Sequence, residues 1–217
     1  MTDVCVYLIR HGQTFHNIEG RISGQLEAEL TPDGIKQAET TAENLQKTGI
    51  PYDAILCSPL SRAKNTAAPI AKALGIPVFY DKGLLELNYG KYENVLLEDM
   101  FKETYNPPLA QCGVLIHNGR ELREYYQNQN PQFDNIRHPG GESKAEARER
   151  FLSTIAKFLN AHPEIKNLCV VAHGAVIRLS LCKILNSTHV KDMGNAEVRE
   201  VIYSRTDGFK PCASKAA

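Results

Sequence analysis

The sequence has no excess of either charge, because its 25 lysine and arginine residues are balanced by 25 aspartate and glutamate residues. Without a strong overall field, a protein does not attract nucleic acid or an anionic membrane surface by charge. We therefore expect neither nucleic acid nor a membrane as a partner. An anion-binding site must come from a local cluster of cationic side chains.

Long apolar runs are also missing. No stretch approaches the roughly 18 apolar residues of a membrane-spanning helix, and the first predicted strand follows Met1-Thr2-Asp3 without a basic segment or a cleavage signal. These absences predict a cytoplasmic protein. The 217 residues suffice for one α/β domain with a substantial core.

The spacings typical of metal sites and disulfide frameworks are absent as well. The six cysteines form no Cys-x-x-Cys pair, and the sequence contains no His-Glu-x-x-His. We therefore expect no bound metal and no cofactor. Cysteines within strand-like runs, such as Cys57 and Cys169, are predicted to be small buried thiols.

The sequence does contain an unbroken apolar run, Val4 to Ile9, that ends abruptly in Arg10, His11 and Gly12. Such a run is typical of a strand covered on both faces, as in a parallel α/β sheet, whose ligands bind at the carboxyl ends of the strands. A forked cation, an imidazole and a glycine favour an anion, above all a phosphate. A lone Arg-His pair more often only ends a strand in solvent, so the other segments must decide.

Two later predicted strands end in the same way. The strand from Asp53 to Cys57 leads into a helix with Arg62 in its first turn, and we expect Ser58 to cap that helix. The strand from Asn167 to Ala172 is followed by His173 at the start of another helix. Each side chain taken alone is explained as a surface or structural residue, whereas three strand ends of one kind favour a phosphoryl pocket.

The segment Leu8-Ile9-Arg10-His11-Gly12-Gln13-Thr14, with Asn17 after it, resembles the signature of the histidine phosphatase superfamily, which includes the cofactor-dependent phosphoglycerate mutases. Ser58 to Ala63 and Ala172 to Gly174 resemble the second and closing motifs of that family. Leu84 to Asn94 resembles its segment with the proton donor. The resemblance spans nearly the whole chain.

This resemblance implies roles for particular residues. His11 is the implied nucleophile, Glu86 the proton donor, and His173 a second imidazole against the same phosphate; without the family, Glu86 is an ordinary loop carboxylate. Arg10 and Arg62 complete the implied catalytic set. The implied phosphate-binding residues are Arg10, Asn17, Ser23, Gly24, Arg62, His173 and Gly174.

Strands and helices alternate along the chain, which predicts an α/β fold. We expect a three-layer sandwich, phosphoglycerate mutase-like, with a mostly parallel central sheet and helices on both faces. Residues 1–217 are predicted to form a single histidine phosphatase domain with an inserted lid-like region at about 95–139. There Arg120, Arg123, Arg137 and His138 either contact a second anionic group of the substrate or lie on a solvated helix. The tail from Thr206 is expected to be loosely ordered.

The predicted function is that of a metal-independent phosphatase that hydrolyses a small phosphorylated metabolite through a phosphohistidine. One alternative is phosphoglycerate mutase-type phosphoryl transfer, although the larger basic insertion of the classical mutases is not found between Tyr92 and Pro139. A second alternative is a non-catalytic phosphate-binding protein, although a decayed site would usually lack at least one of six residues that are all present: Arg10, His11, Asn17, Arg62, Glu86 and His173. The sequence determines neither the substrate nor the oligomeric state, and a homodimer stays open.

Overall fold

The computed structural model describes residues 3–100, 102–103, 134–188 and 190–212. Its strands are β1 (Val4–Arg10), β2 (Ala54–Cys57), β3 (Val78–Tyr80), β4 (Asn167–Ala172), β5 (Val198–Ser204) and β6 (Gly208–Pro211). They form one sheet in the order β3-β2-β4-β1-β5-β6. The first four of these are mutually parallel, whereas β5 and β6 are antiparallel to their neighbours.

The α-helices of the described residues are α1 (Phe15–Glu19), α2 (Pro32–Lys47), α3 (Ser61–Leu74), α4 (Lys144–Ala161) and α5 (Gly174–Ile184), and residues 97–100 are also helical. Residues Lys82–Leu84 and Gly90–Tyr92 form 3₁₀ helices. None of the helices in the described part of the chain is long and apolar enough to cross a membrane.

The helices cover both faces of the sheet because side chains alternate along each strand. On one face, Val6 and Leu8 of β1 pack with Phe151 of α4 and Ile177 of α5. On the other face, Ile9 of the same strand belongs to a cluster that includes residues of α2 and α3. These layers confirm the predicted three-layer α/β fold with a mostly parallel sheet.

Local sequence signals fix where two of the helices begin. The Thr31 hydroxyl accepts a hydrogen bond from the Gly34 amide, and Pro32 occupies the first position of α2, where its missing N–H costs nothing. At α4, Ser143 and Glu146 satisfy each other's backbone amides in a capping box. These caps set the starts of α2 and α4, and core packing places the two helices on opposite faces of the sheet.

The structure corrects two local expectations. Helix α3 begins at Ser61 rather than after Ser58, and its N-cap residue is Leu60. The tail is not loosely ordered up to residue 212, because β6 pairs with β5 through a turn in which Gly208 has a φ of 79°. The Asp207-Gly208 pair was the signal for this hairpin.

The division into one domain with a lid-like insertion stays a prediction. Residues 101 and 104–133, including Arg120 and Arg123, lie outside the described part of the chain. Within the described part, Arg137 is an exposed partner of Glu146, while the buried ring of His138 lies 5.0 Å from that of Tyr89.

Candidate active site

A cavity of about 330 Å³ lies at the carboxyl edge of the parallel strands. Eight of the nine predicted site residues line it: Arg10, His11, Asn17, Ser23, Gly24, Arg62, Glu86 and Gly174. The ninth, His173, is fully buried, with its ring centroid 5.3 Å from that of His11. The structure therefore brings all nine residues together.

His11 follows β1 directly and is held by its own backbone. Its amide donates to the Ala172 carbonyl at 3.0 Å, which continues the pairing of β1 with β4. Its ring Nδ1 lies 2.7 Å from the Gly12 carbonyl oxygen. Because a carbonyl only accepts, Nδ1 carries the proton and Nε2 keeps a lone pair when the ring is neutral.

The surroundings of His11 favour that neutral form. Burial is the main cause, and the neighbouring cations Arg62 and Arg10 add to it, so that the pKa of His11 lies well below its usual range. Removing water and adding nearby positive charge both penalise an imidazolium. His11 thus has an unprotonated Nε2 at neutral pH, as a nucleophile requires.

His173 sits at the N-cap of α5, immediately after β4. Its Nε2 lies 2.7 Å from the Ser58 hydroxyl, while Nδ1 is buried without a partner among the described residues. Burial, and after it the charge of Arg62, lowers the pKa of His173 well below its usual range. A phosphate dianion beside the ring would act in the opposite direction and favour a proton on it.

The Arg10 guanidinium lies against the first turn of α5. Its Nη1 donates to the Met193 carbonyl at 2.5 Å. Any other residue at position 174 would place its Cβ 3.0 Å from Arg10 Nε, which is too close for a comfortable contact. Glycine therefore lets the guanidinium pack against the backbone of the helix. Arg10 thus places a positive charge at the N-terminus of α5, where the helix dipole also favours an anion.

Arg62 lies in the first turn of α3 and is fully buried. Its Nη1 donates to the Leu26 carbonyl at 2.6 Å and its Nη2 to the Gly24 carbonyl at 2.7 Å. Its Nε is buried without a partner in the described part of the chain. Burial lowers the pKa of Arg62, and Glu86 opposes this, but an arginine stays charged at neutral pH.

Glu86 is mostly buried in the loop that follows the first 3₁₀ helix. Its Oε1 accepts hydrogen bonds from the amides of Leu87 at 2.8 Å and Val176 at 2.9 Å. Its Oε2 accepts from the Ala175 amide at 3.0 Å. Two of these amides belong to the first turn of α5, so the helix that begins after His173 also orients the Glu86 carboxyl group.

Asn17 and Ser23 line the cavity from the segment after β1. Asn17 Oδ1 accepts from the Thr14 amide and from Asn195 Nδ2, both at 3.1 Å, which leaves the Asn17 amide nitrogen for a ligand oxygen. The Ser23 hydroxyl lies 3.2 Å from Nδ1 of His16. Both side chains thus have a fixed position and a polar group at the cavity.

Several residues of the site were not predicted from the sequence. Asn195 also donates to the His11 carbonyl at 3.2 Å, and it comes from an irregular segment before β5 that carries no periodic signal. Arg178 and Asp192 line the cavity as well. The position of Arg178 was detectable, because it lies one helical turn beyond Gly174 on the predicted helix.

Among the described residues, no group of three or more histidine, cysteine, aspartate or glutamate side chains is placed to hold a metal ion. The charged groups around the cavity are instead the guanidinium groups of Arg10, Arg21, Arg62 and Arg178 and the carboxylates of Glu86 and Asp192. The arginine side chains of this set can neutralise the charge of a bound anion.

Comparison with known proteins agrees with this geometry. The sequence model of the histidine phosphatase superfamily (branch 1) matches residues 6–111 and 113–209. The probable phosphoglycerate mutase GpmB of Yersinia pestis (strain Pestoides F) is 33% identical to this chain over 180 residues, which cover 83% of the chain and 74% of that relative.

Solved structures show the same fold. The native structure of a mycobacterial glucosyl-3-phosphoglycerate phosphatase superposes with a TM-score of 0.73 at 25% identity, covering 93% of this chain and 91% of that one. The phosphoglycerate mutase of Bacillus anthracis str. Sterne has a TM-score of 0.77 at 22% identity, covering 97% and 92% of the two chains. At 22% identity, the similarity to the Bacillus anthracis structure shows a shared fold and no more.

Proposed function

Because this chain belongs to the histidine phosphatase superfamily, branch 1, we propose that it is a metal-independent phosphatase that hydrolyses a small phosphate monoester through a phosphohistidine at His11. The observation that carries the proposal is the hydrogen bond from His11 Nδ1 to the Gly12 carbonyl. It leaves Nε2 as the nitrogen with the lone pair, in a cavity that Arg10 and Arg62 line.

Charge neutralisation is the first requirement, because a phosphate monoester dianion repels nucleophiles. The guanidinium groups of Arg10 and Arg62 supply two permanent positive charges, and His173 supplies a third when the nearby phosphate charge favours its uptake of a proton from solvent. Such groups stabilise charge on the equatorial oxygens of the transferring phosphoryl group. This arrangement can act without a metal ion.

The first step transfers the phosphoryl group to the enzyme. The lone pair of His11 Nε2 forms a bond to phosphorus while the bond from phosphorus to the ester oxygen breaks. The electron pair of that bond stays on the ester oxygen, which takes a proton from the Glu86 carboxyl group and leaves as an alcohol. The Glu86 oxygen Oε2 accepts only one hydrogen bond from the described residues, so it has room for that proton.

The second step returns the enzyme to its starting state. The Glu86 carboxylate takes a proton from water as the water oxygen attacks phosphorus. The bond between Nε2 and phosphorus breaks, its electron pair returns to His11, and inorganic phosphate is released. A mutase differs only here, since it keeps the phosphohistidine until a second bound substrate removes the phosphoryl group.

Phosphatase is favoured over mutase by the chain itself, which lacks the basic insertion of the classical mutases between Tyr92 and Pro139. The GpmB relative carries the name of a probable phosphoglycerate mutase, so mutase activity is the second candidate. A small phosphorylated metabolite is the proposed substrate in both cases.

The test is detection of the phosphoenzyme. Acid-quenched protein given a ³²P-labelled monoester should carry acid-labile, base-stable phosphate at His11, and His11→Ala should carry none. Phosphate release from a panel of monoesters is then compared with isomerisation of 3-phosphoglycerate, with and without 2,3-bisphosphoglycerate. Turnover by His11→Ala near the wild-type rate would exclude the phosphohistidine, and isomerisation faster than phosphate release would favour the mutase.

A further inference from the structure

The proton on Nδ1 of His11 depends on one peptide group, the one that joins Gly12 to Gln13. Its carbonyl oxygen lies 2.7 Å from Nδ1 of His11, and its N–H group donates to Oε1 of Gln37 at 2.9 Å. The N–H and C=O groups of a trans peptide lie in one plane and point in opposite directions. The acceptor that holds the N–H group therefore also decides where the carbonyl oxygen points.

The two neighbouring peptide groups have partners of their own. The Gly12 amide donates to Oγ1 of Thr66 at 2.9 Å, and the Gln13 carbonyl accepts from the Thr31 amide at 2.9 Å. Neither contact acts directly on the peptide group between them, and a glycine before that group permits a wide range of ψ. Among the described residues, Gln37 is the one whose side chain holds the N–H group of this peptide.

Gln37 reaches this peptide group because α2 packs closely against it. A Cβ on Gly12 would overlap the Gly34 carbonyl oxygen, and a Cβ on Gly34 would overlap the Gln13 carbonyl oxygen. Gln37 lies three residues beyond Gly34 and so on the same side of the helix. Because a backbone N–H group can only donate, the Gln37 atom that faces it is the carbonyl oxygen and not the amide nitrogen.

We propose that Gln37 is a positioning residue that selects the tautomer of His11 through the peptide group between Gly12 and Gln13. The proposal rests on the proposed function, because it concerns the lone pair with which Nε2 attacks phosphorus. Linked hydrogen bonds polarise one another, so the acceptor on the N–H group also strengthens the bond that the carbonyl oxygen accepts from His11. Gln37 thus acts on an imidazole that it does not touch, where an oxygen acceptor usually contacts the ring directly.

The first measurement is of the tautomer itself, so it does not depend on turnover. In protein with ¹⁵N-labelled histidine, the chemical shifts of the two ring nitrogens show which one carries the proton. The signals missing from His11→Ala identify those of His11. We expect the Nδ1–H form in the wild type. Gln37→Met keeps the side-chain length but offers at best a weak acceptor, so the share of the Nε2–H form should rise about 5-fold, the effect of one typical hydrogen bond.

The second measurement is single-turnover phosphoenzyme formation. The ring becomes cationic as Nε2 bonds to phosphorus, so the hydrogen bond from Nδ1–H is stronger in the transition state than before it. Gln37→Met should therefore lower the rate constant at saturating ester about 10-fold, with little change in the ester concentration that gives half-saturation. Gln37→Glu keeps an acceptor oxygen at the same place and should restore most of the lost rate and the Nδ1–H form.

The matched control is Gln46→Met. Gln46 lies on the same helix, nine residues further on, and also bonds a backbone group, because its amide nitrogen donates to the Ala73 carbonyl at 2.9 Å. This change should move neither the tautomer nor the rate constant. Circular dichroism shows whether each variant is folded. Should Gln37→Met not fold, Gln37→Lys, which places a donor where the acceptor stands, should give the same two effects.

Three outcomes overturn the proposal. They are a predominant Nε2–H form of His11 in the wild type, a tautomer that does not change on replacing Gln37 by a residue without an acceptor, and a rate loss that Gln37→Glu leaves in place. The last outcome would mean that Gln37 only supports the packing of α2. A protein that forms no phosphoenzyme with any ester would instead overturn the proposed function, and the tautomer measurement would still test the role of Gln37.

Discussion

The Ser58 hydroxyl lies 2.7 Å from Nε2 of His173, and both groups are fully buried. The Leu60 amide also reaches the Ser58 oxygen, at 3.5 Å, so the hydroxyl hydrogen is left for the imidazole. When Ser58 donates to Nε2, the proton of the neutral ring is on Nδ1. Ser58 is then the residue that decides which nitrogen of His173 presents an N–H group.

We predict that Ser58→Ala slows phosphoenzyme formation by up to about 100-fold, because a misplaced catalytic group costs that much. Loss of a donor that favours the neutral ring should also move the limb of the pH–rate profile that belongs to His173 to higher pH. Rapid-quench kinetics between pH 5 and 8 measures both effects. Ser58→Thr keeps the hydroxyl and should stay close to wild type. A slower rate with an unmoved profile would argue against control of the His173 proton.

Glu86→Gln should separate proton donation from phosphate binding. For esters with alkyl leaving groups we expect single-turnover phosphoenzyme formation to slow by ~100-fold or more. For p-nitrophenyl phosphate the loss should be much smaller, because its leaving group needs little protonation. The glutamine also loses the acceptor for the Ala175 amide, but that structural effect is common to both esters and cancels in their ratio.

Arg62→Ala is the comparison for that experiment, since it removes charge stabilisation that both ester types require. It should slow the two esters alike. If Glu86→Gln also slows them alike, Glu86 is not the acid. Glu93 is then the next candidate for the acid. Its carboxylate accepts a hydrogen bond at 2.9 Å from the amide of Gln25, which follows the cavity residues Ser23 and Gly24.

Activity should survive removal of divalent metal ions, because the proposed charge neutralisation comes from Arg10, Arg62 and His173. The measurement is phosphate release after dialysis against EDTA, followed by addition of Mg²⁺ or Zn²⁺. We expect no reproducible change in phosphate release in either step. A reproducible loss that either ion restores would refute metal independence.

Stability should fall as the pH decreases from 6.5 towards 4, and His138 should be one cause. Burial, with Lys144 as the lesser cause, lowers the pKa of His138 to about 4. Between its unfolded pKa of about 6.5 and the folded value, only the unfolded chain takes up the proton, so acid favours unfolding. Over the whole interval this amounts to at most about 3 kcal/mol, and to about 2 kcal/mol between pH 7 and pH 5.

The measurement is urea unfolding of the wild type and of His138→Phe at pH 7 and pH 5. Phenylalanine keeps a ring against Tyr89 but does not titrate, and the contributions of His11 and His173 are common to both proteins. The pH-dependent loss should therefore be about 2 kcal/mol smaller in the variant. An equal loss in the two proteins would show that His138 is not the titrating group.

The sequence predicted the parts of the site that depend on strand ends. Arg10 and His11 end β1, Arg62 follows β2 and His173 follows β4, and these three strands are neighbours in the sheet. Since parallel strands share their carboxyl edge, the three apolar runs that each lead to such side chains together predict that these side chains meet.

The remaining parts depend on packing between distant segments. Nothing local to Glu86 indicates that its carboxylate meets the amides of Ala175 and Val176, some 90 positions along the chain. Ser58 has the sequence context of a helix cap, yet a tertiary contact with His173 takes its hydroxyl. Asn195 lies in an irregular segment, where no periodic pattern predicts which way its side chain points. Such contacts follow only from the folded arrangement.

The hydrogen bonds of Arg62 also link the phosphate site to the neighbouring loop. The same guanidinium that faces the phosphate site also holds the backbone of the loop over it, through the carbonyls of Gly24 and Leu26. Moving this loop would therefore also move Arg62, so a ligand that binds more tightly to one position of the guanidinium would also favour the matching position of the loop.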